Sequence, residues 1–208
     1  KKGAIDYVEI PKDNFVSAVK GGVLDEDLSK LGMRLIIQPT LDTTFMAFNL
    51  DNKLLDNTSL RRAMSLALDP AEWNQIFYNG SAIPAQSVIP PGAKGYDENY
   101  RNPYHGPNIA KAKELLVQAG FPEGKGLPVI TFDTSASTVY RQMGEYFKKR
   151  MSLIGIEVAI NTNPWPELQK KIDNRRFMIY TMAWQGDYPD GHNFLQLLYG
   201  PNRAPGPN

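Results

Sequence analysis

Two carboxylates, Asp187 and Asp190, sit close together in the stretch FMIYTMAWQGDYPDGHNFLQLL from Phe177 to Leu198. Such a pair can act as general acid and base when it spans a scissile bond. It can also divide into a ligand contact and a helix cap. Asp190 precedes a short apolar run, Phe194, Leu195, Leu197 and Leu198, and suits the N-cap of a helix there. Asp187 lies in the turn-rich segment Gln185–Gly191, where a carboxylate satisfies its own turn or receives a cation by a charge-assisted hydrogen bond. Trp184 and Tyr188 flank it, and Trp165 stands upstream. An indole brings apolar area with one polar edge, which fits a core or a ligand wall equally. His105 and His192 fall in different loops without a spaced acid or cysteine, a poor metal set. There is no Gly-rich phosphate loop and no Gly-x-Ser-x-Gly elbow. The residues nominate no catalytic set beyond the carboxylate pair, no metal ligands and no cofactor.

The elements that must position these residues follow from periodicity. Phe177–Trp184 is apolar on both alternating faces, the pattern of a central strand covered on both sides. It places Asp187 just beyond the carboxyl end of a buried strand, where open α/β sheets bind ligands. Before it, Leu127–Asp133 and Ile156–Asn161 read as strands. Between them lies a helix burying Val139, Met143, Tyr146, Phe147, Met151 and Ile154. A further helix, opened by Asn163-Pro164, carries Trp165, Leu168 and Ile172. Strands separated by helices argue for crossovers and an α/β sheet. Residues 58–79 predict two helices in series. Leu60, Ala63, Met64, Ala67 and Leu68 form a buried stripe, and Asp69-Pro70 restarts the helix ahead of Trp73, Ile76 and Phe77. Pro107–Ala119 predicts another helix, stopped at Gly120. Ile83–Tyr104, rich in proline and glycine, is a long irregular segment of the kind that is functional or mobile. Ala4–Ile10, Met33–Gln38 and Thr43–Leu50 read as strands, with a short helix capped by Asp13 and burying Phe15, Val16 and Val19.

Composition narrows the class. The 208 residues carry 23 Lys+Arg against 22 Asp+Glu, a net charge of +1, so no global field would attract nucleic acid or an anionic membrane. The absence of cysteine excludes disulfides and thiolate metal sites. No apolar run approaches membrane-spanning length. The start Lys1-Lys2-Gly3 and the end Gly200–Asn208 read as those of an excised fragment.

Several motifs, in one order, resemble the oligopeptide/dipeptide-type (family 5) extracellular solute-binding proteins of ABC importers. W-x-x-D-Y-P-D before an Asn-Phe-Leu helix is similar to the distal ligand-binding lobe of that family. Gly3–Asp6 resembles its G-x-x-D entry and Phe48-Asn49-Leu50 its crossing strand. Arg62, Ala63 and Asp69 match R-x-A-(x)5-D, and Pro84–Gly92 matches P-(x)4-IPPG. AKAKELLVQAGFP and LIGIEV resemble two further family runs. The resemblance implies a periplasmic-binding-protein-like α/β lobe, a mixed sheet flanked by helices in the type II architecture. It implies a division into residues 1–50, strands leading from a first lobe and hinge, and residues 51–208, the distal lobe. It also implies capture of a peptide or peptide-like solute for a membrane permease, by a monomer outside the cytoplasm, without covalent change. Asp187 then corresponds to the aspartate that takes a ligand ammonium, and Trp184 and Trp165 to pocket tryptophans, with Tyr188 beside them. Met178 stands where many members have Asp. Ile172 and Thr181 stand where some peptide-binding members have arginines, which leaves a sugar or another small solute open. A hydrolase using Asp187 and Asp190 is the reading from a different class.

Overall fold

The strand–helix alternation builds a doubly wound sheet in the computed structural model, which describes residues 6–204. In chain order the elements are α1 (Lys12–Ala18), β1 (Val19–Lys20), β2 (Val23–Leu24), α2 (Glu26–Lys30) and β3 (Asp42–Phe48). There follow α3 (Thr58–Ala67), α4 (Pro70–Tyr78), α5 (Ile109–Gln118), β4 (Ile130–Ser135), α6 (Thr138–Ser152) and β5 (Val158–Asn163). The last are α7 (Trp165–Asp173), β6 (Ile179–Gln185) and α8 (His192–Leu195).

The four long strands lie in the order β3-β6-β4-β5. β4 pairs parallel with both β5 and β6, and β3 runs antiparallel to β6. The chain therefore steps from β4 to one side through α6, then back across β4 to the other side through α7. Crossovers of one hand with opposite directions of travel must put their helices on opposite faces. The packing agrees. Phe147 of α6 stacks on Phe132 at 4.7 Å between centroids, on the face that the register gives to Ile130, Phe132 and Ile179. Gly144 of α6 sits so close to β5 that a Cβ there would lie 3.0 Å from Ile160 Cγ2. Lys171 of α7 reaches Asp133 from the other face.

The main core gathers Leu60, Ala63, Met64 and Ala67 of α3, Leu115 and Leu116 of α5, Met151, and the inward residues of the sheet. Asp69 holds the α3–α4 corner, its Oδ1 accepting from the backbone N–H of Ala71 and Glu72 at 3.1 and 3.0 Å. Proline follows at the first helical position, where its missing N–H is harmless. α6 is tied to this corner. The Tyr146 hydroxyl donates to Glu72 Oε2 at 2.9 Å, and Arg150 Nη1 lies 3.3 Å from the same oxygen. Burial, then that carboxylate, pushes the Tyr146 hydroxyl well above its ordinary range. Arg62, exposed on α3, stacks over the Tyr104 ring at 4.4 Å, a cation–π pair at the surface.

Several expectations are corrected. Tyr7–Ile10 and Met33–Gln38 form no strand, because no neighbouring strand pairs with them; Ala4, Ile5 and the entry motif's Gly3 lie outside the described residues. Instead β1 and β2 make a two-residue ladder around Gly21-Gly22. Asp13 is not the cap of α1: Pro11 holds that position, with no side-chain bond. Val16, Ile76 and Val139 are exposed, not buried. β4 starts at Ile130 rather than Leu127, since Pro128 has no N–H to enter a ladder. β6 starts at Ile179 and is covered on both sides only in its first half: Ile179 and Thr181 are buried, while Ala183 is exposed. Ile83–Tyr104 holds neither helix nor strand, as its composition suggests.

Candidate functional site

β4, β5 and β6 are parallel, so their carboxyl ends share one edge of the sheet. Trp165 opens α7 directly after β5, and the Asp187 loop leaves β6 at the same edge. Two strand spacings, roughly 10 Å, separate those exits. The winding reverses between β4 and β6, which makes this edge a topological switch point, the crevice where open α/β sheets take ligands.

The register explains what projects there. Phe132 pairs with Ile179 and Asp133 with Tyr180, so Ser135, the last residue of β4, falls level with Met182. Ala183, Trp184 and Gln185 continue past β4 with only β3 beside them. Alternation sets Tyr180, Met182 and Trp184 on one face together with Thr43, Phe45 and Ala47 of β3. Phe45 and Tyr180 meet edge to face at 6.3 Å. Phe45, Tyr180, Met182 and Trp184 are all half-buried, an apolar wall leading to the loop. Burial raises the Tyr180 hydroxyl above its ordinary range, so it stays a neutral donor at this wall.

Asp187 is exposed, and no hydrogen bond or ion pair to it is present among the described residues. Its loop is held by backbone bonds instead. Gly186 N–H donates to Leu41 at 2.6 Å, and Gly191 N–H to Lys94 at 2.7 Å. A Cβ on Gly186 would approach the Phe194 ring to 2.8 Å, so the loop leaves β6 against that ring. Trp184 donates from Nε1 to Asn193 Oδ1 at 2.8 Å. Tyr188 is 43% exposed, its hydroxyl 2.8 Å from His192 Nδ1 with the two rings stacked. Trp165 is 48% exposed. Asp190 acts as a cap one residue early: Gly191 occupies the cap position of α8, yet Asp190 Oδ1 accepts the His192 N–H at 2.9 Å.

Two features have no clear sequence signal. Asp133, buried on β4, accepts at Oδ1 from Lys171 Nζ at 2.6 Å and Asn163 Nδ2 at 3.1 Å, clamping α7 to the sheet. Asn193, fully buried, backs the Trp184 indole. The Tyr180–Met182–Trp184 face had no separate sequence signal either, because Phe177–Trp184 is apolar on both alternating faces and only the end of β4 leaves one of them half-open. Thr181 is buried with its hydroxyl donating to Phe45 O at 3.2 Å, and Ile172 is half-buried.

A separate concavity lies away from the predicted site residues. A cleft of about 510 Å³ opens between the free edge of β3, α4 and the loop after it, lined by Thr44, Met46, Leu68, Trp73, Tyr78 and Gln86. None of Asp187, Trp184, Trp165 and Tyr188 lines it.

The chain matches the family described as bacterial extracellular solute-binding proteins, family 5 middle region, over residues 1–206. It is 27% identical over 176 residues to the oligopeptide-binding protein OppA of Bacillus subtilis, covering 81% of this chain and 32% of that one. The dipeptide-binding protein of Escherichia coli is 26% identical over 169 residues, 80% of this chain and 31% of its own. The chain thus spans about a third of the length of the curated relatives it matches. Among solved structures, a periplasmic oligopeptide-binding protein of Borrelia burgdorferi superposes with a TM-score of 0.69 at 26% identity, over 83% of this chain and 35% of that one. DppA of Helicobacter pylori, in complex with the peptide STSA, gives 0.66 at 28% identity over 75% and 29%.

Proposed function

Because the chain belongs to the bacterial extracellular solute-binding proteins of family 5, we propose that it forms the distal ligand-binding lobe of an importer component that captures a peptide or peptide-like solute. Asp187 receives the ligand's ammonium, and Trp184, Trp165 and Tyr188 wall the ligand. The observation that carries this reading is the exposed Asp187 carboxylate at the switch point, without a partner among the described residues and on the same sheet edge as Trp184, Tyr188 and Trp165. A charge left unpaired beside apolar walls does little for stability but gives a strong contact once a cation arrives and water leaves.

Residues 51–208 make the lobe and residues 1–50 lead into it from a first lobe. The surface of the leading segment supports this division: Tyr7, Val8, Val16, Val23, Ile36 and Ile37 are all exposed. So much outward apolar side chain in one segment marks a face that further polypeptide covers. The protein works outside the cytoplasmic membrane as a monomer, delivering its solute unchanged to a membrane permease of an ABC importer.

The aromatic wall also supports a second reading, a neutral solute such as a sugar stacked on Trp165 and Trp184, with Asp187 only a turn former. A hydrolase is less favoured, since Asp190 Oδ1 is engaged by the His192 N–H. Mass spectrometry of what co-purifies with the full-length two-lobed protein separates these readings. Intact peptides support the first, saccharides the second, and cleaved products released from an added peptide and oligosaccharide pool would overturn capture altogether.

A further inference from the structure

Asn193 has no part in the capture reading, yet it is the most unusual polar residue next to it. It stands in the first turn of α8, fully buried, beside the equally buried Phe194. Its backbone is satisfied locally, with N–H bonded to Asp190 O at 3.1 Å and the carbonyl accepting from Gln196 Nε2 at 3.0 Å. Its side chain makes one bond, from Trp184 Nε1 to Oδ1 at 2.8 Å. An indole N–H can only donate, so the amide must turn its oxygen to the ring. That choice strands the other end: Asn193 Nδ2 is buried without a partner among the described residues. Buried polar atoms are nearly always satisfied. A side chain serving packing alone would leave no donor stranded, and a leucine of similar volume would fill the space.

We infer that Asn193 is a positioning residue: it fixes the plane of the Trp184 indole so that the ring presents one set face at the ligand edge. Trp184 needs such a hold because it lies beyond the end of β4, where only β3 flanks the strand. A half-buried indole there would otherwise sample several rotamers and lose that freedom on binding. The Asn193 oxygen removes the freedom in advance. The consequence for binding rests on the reading of Trp184 as a ligand wall; the hold on the indole does not.

The experiment uses the full-length protein, nitrogen-15 labelled, without added ligand. The indole N–H resonance of Trp184 is assigned by its loss in Trp184→Phe. Asn193→Leu is expected to shift that resonance and speed its solvent exchange at least tenfold, whereas Asn193→Asp, which keeps an acceptor, retains slow exchange. An unchanged indole signal in Asn193→Leu overturns the proposal. Should Asn193→Leu fail to fold, Trp184→Phe removes the donor from the other side. A shift of the Asn193 side-chain amide then supports the pairing and its constancy overturns it. The second arm measures retention of a mixed pool of di- to pentapeptides. Losing one hydrogen bond's worth of preorganisation is expected to lower retention roughly three- to tenfold in Asn193→Leu, with no further loss when it is combined with Trp184→Phe. Equal losses in both backgrounds would show that Asn193 does not act through the indole. If the parent protein retains no peptide, the peptide reading fails while the indole signal still decides the positioning role.

Discussion

Lys171 and Asp133 form a lopsided pair, and removing either partner should have very different consequences. The Asp133 side chain is 2% exposed and that of Lys171 34%. Lys171→Met would leave a carboxylate in the interior with one weak donor, Asn163 Nδ2 at 3.1 Å. Breaking a buried pair in this sense destabilises by about 3–5 kcal/mol, and the partly open lysine side lets water in, which favours the lower end. Asp133→Asn leaves a lysine that can swing its ammonium into solvent along its flexible stem. Its effect should stay near 1 kcal/mol, the net worth of one hydrogen bond. The double change Asp133→Leu with Lys171→Met removes both charges and should recover most of the loss, since apolar replacements of buried pairs are neutral or stabilising. Urea denaturation followed by far-ultraviolet circular dichroism reads all three as midpoint shifts at constant slope. Two results would refute the reasoning: Lys171→Met no more damaging than Asp133→Asn, or a double variant no more stable than Lys171→Met.

Two further outcomes concern the loop and the half-buried His105. Asp187→Asn in the full-length protein should weaken a peptide ligand by about one to two orders of magnitude, from the roughly 1.5–3 kcal/mol net of a charged hydrogen bond, with little change in stability. Asp190→Ala should do the reverse, losing about 1 kcal/mol of stability with the bond to His192 N–H; calorimetry and thermal melts of both variants check the split. His105 is held below its ordinary range by burial, so the unfolded chain binds the proton more readily. Stability should therefore fall as pH drops below the histidine's unperturbed value near 6.5, and His105→Gln should flatten that part of the profile. Identical pH profiles for parent and variant would defeat it.

Local physics was enough for much of this protein. The α3 stripe, the Asp69-Pro70 restart, the Gly120 stop and the strand–helix alternation are short-range signals, and each sits where its residues imply. The exit of Asp187 from the carboxyl end of a strand is equally local, and so are the motifs that place the chain in its family. Strand boundaries were less legible, because a strand exists only through a neighbour. Met33–Gln38 joins no ladder among the described residues, and β4 waits for Pro128 to pass. Tertiary structure alone decided that the winding reverses between β4 and β6, and that β6 outruns β4 to leave Trp184 half-open. It alone decided that Asp133 meets Lys171 and that Asn193 meets Trp184. An aspartate inside a strand and an asparagine at a helix start carry no mark of their partners in sequence. Their roles come from strand order and from which face a crossing helix covers, and those follow from the handedness of the connections and the packing of the whole sheet.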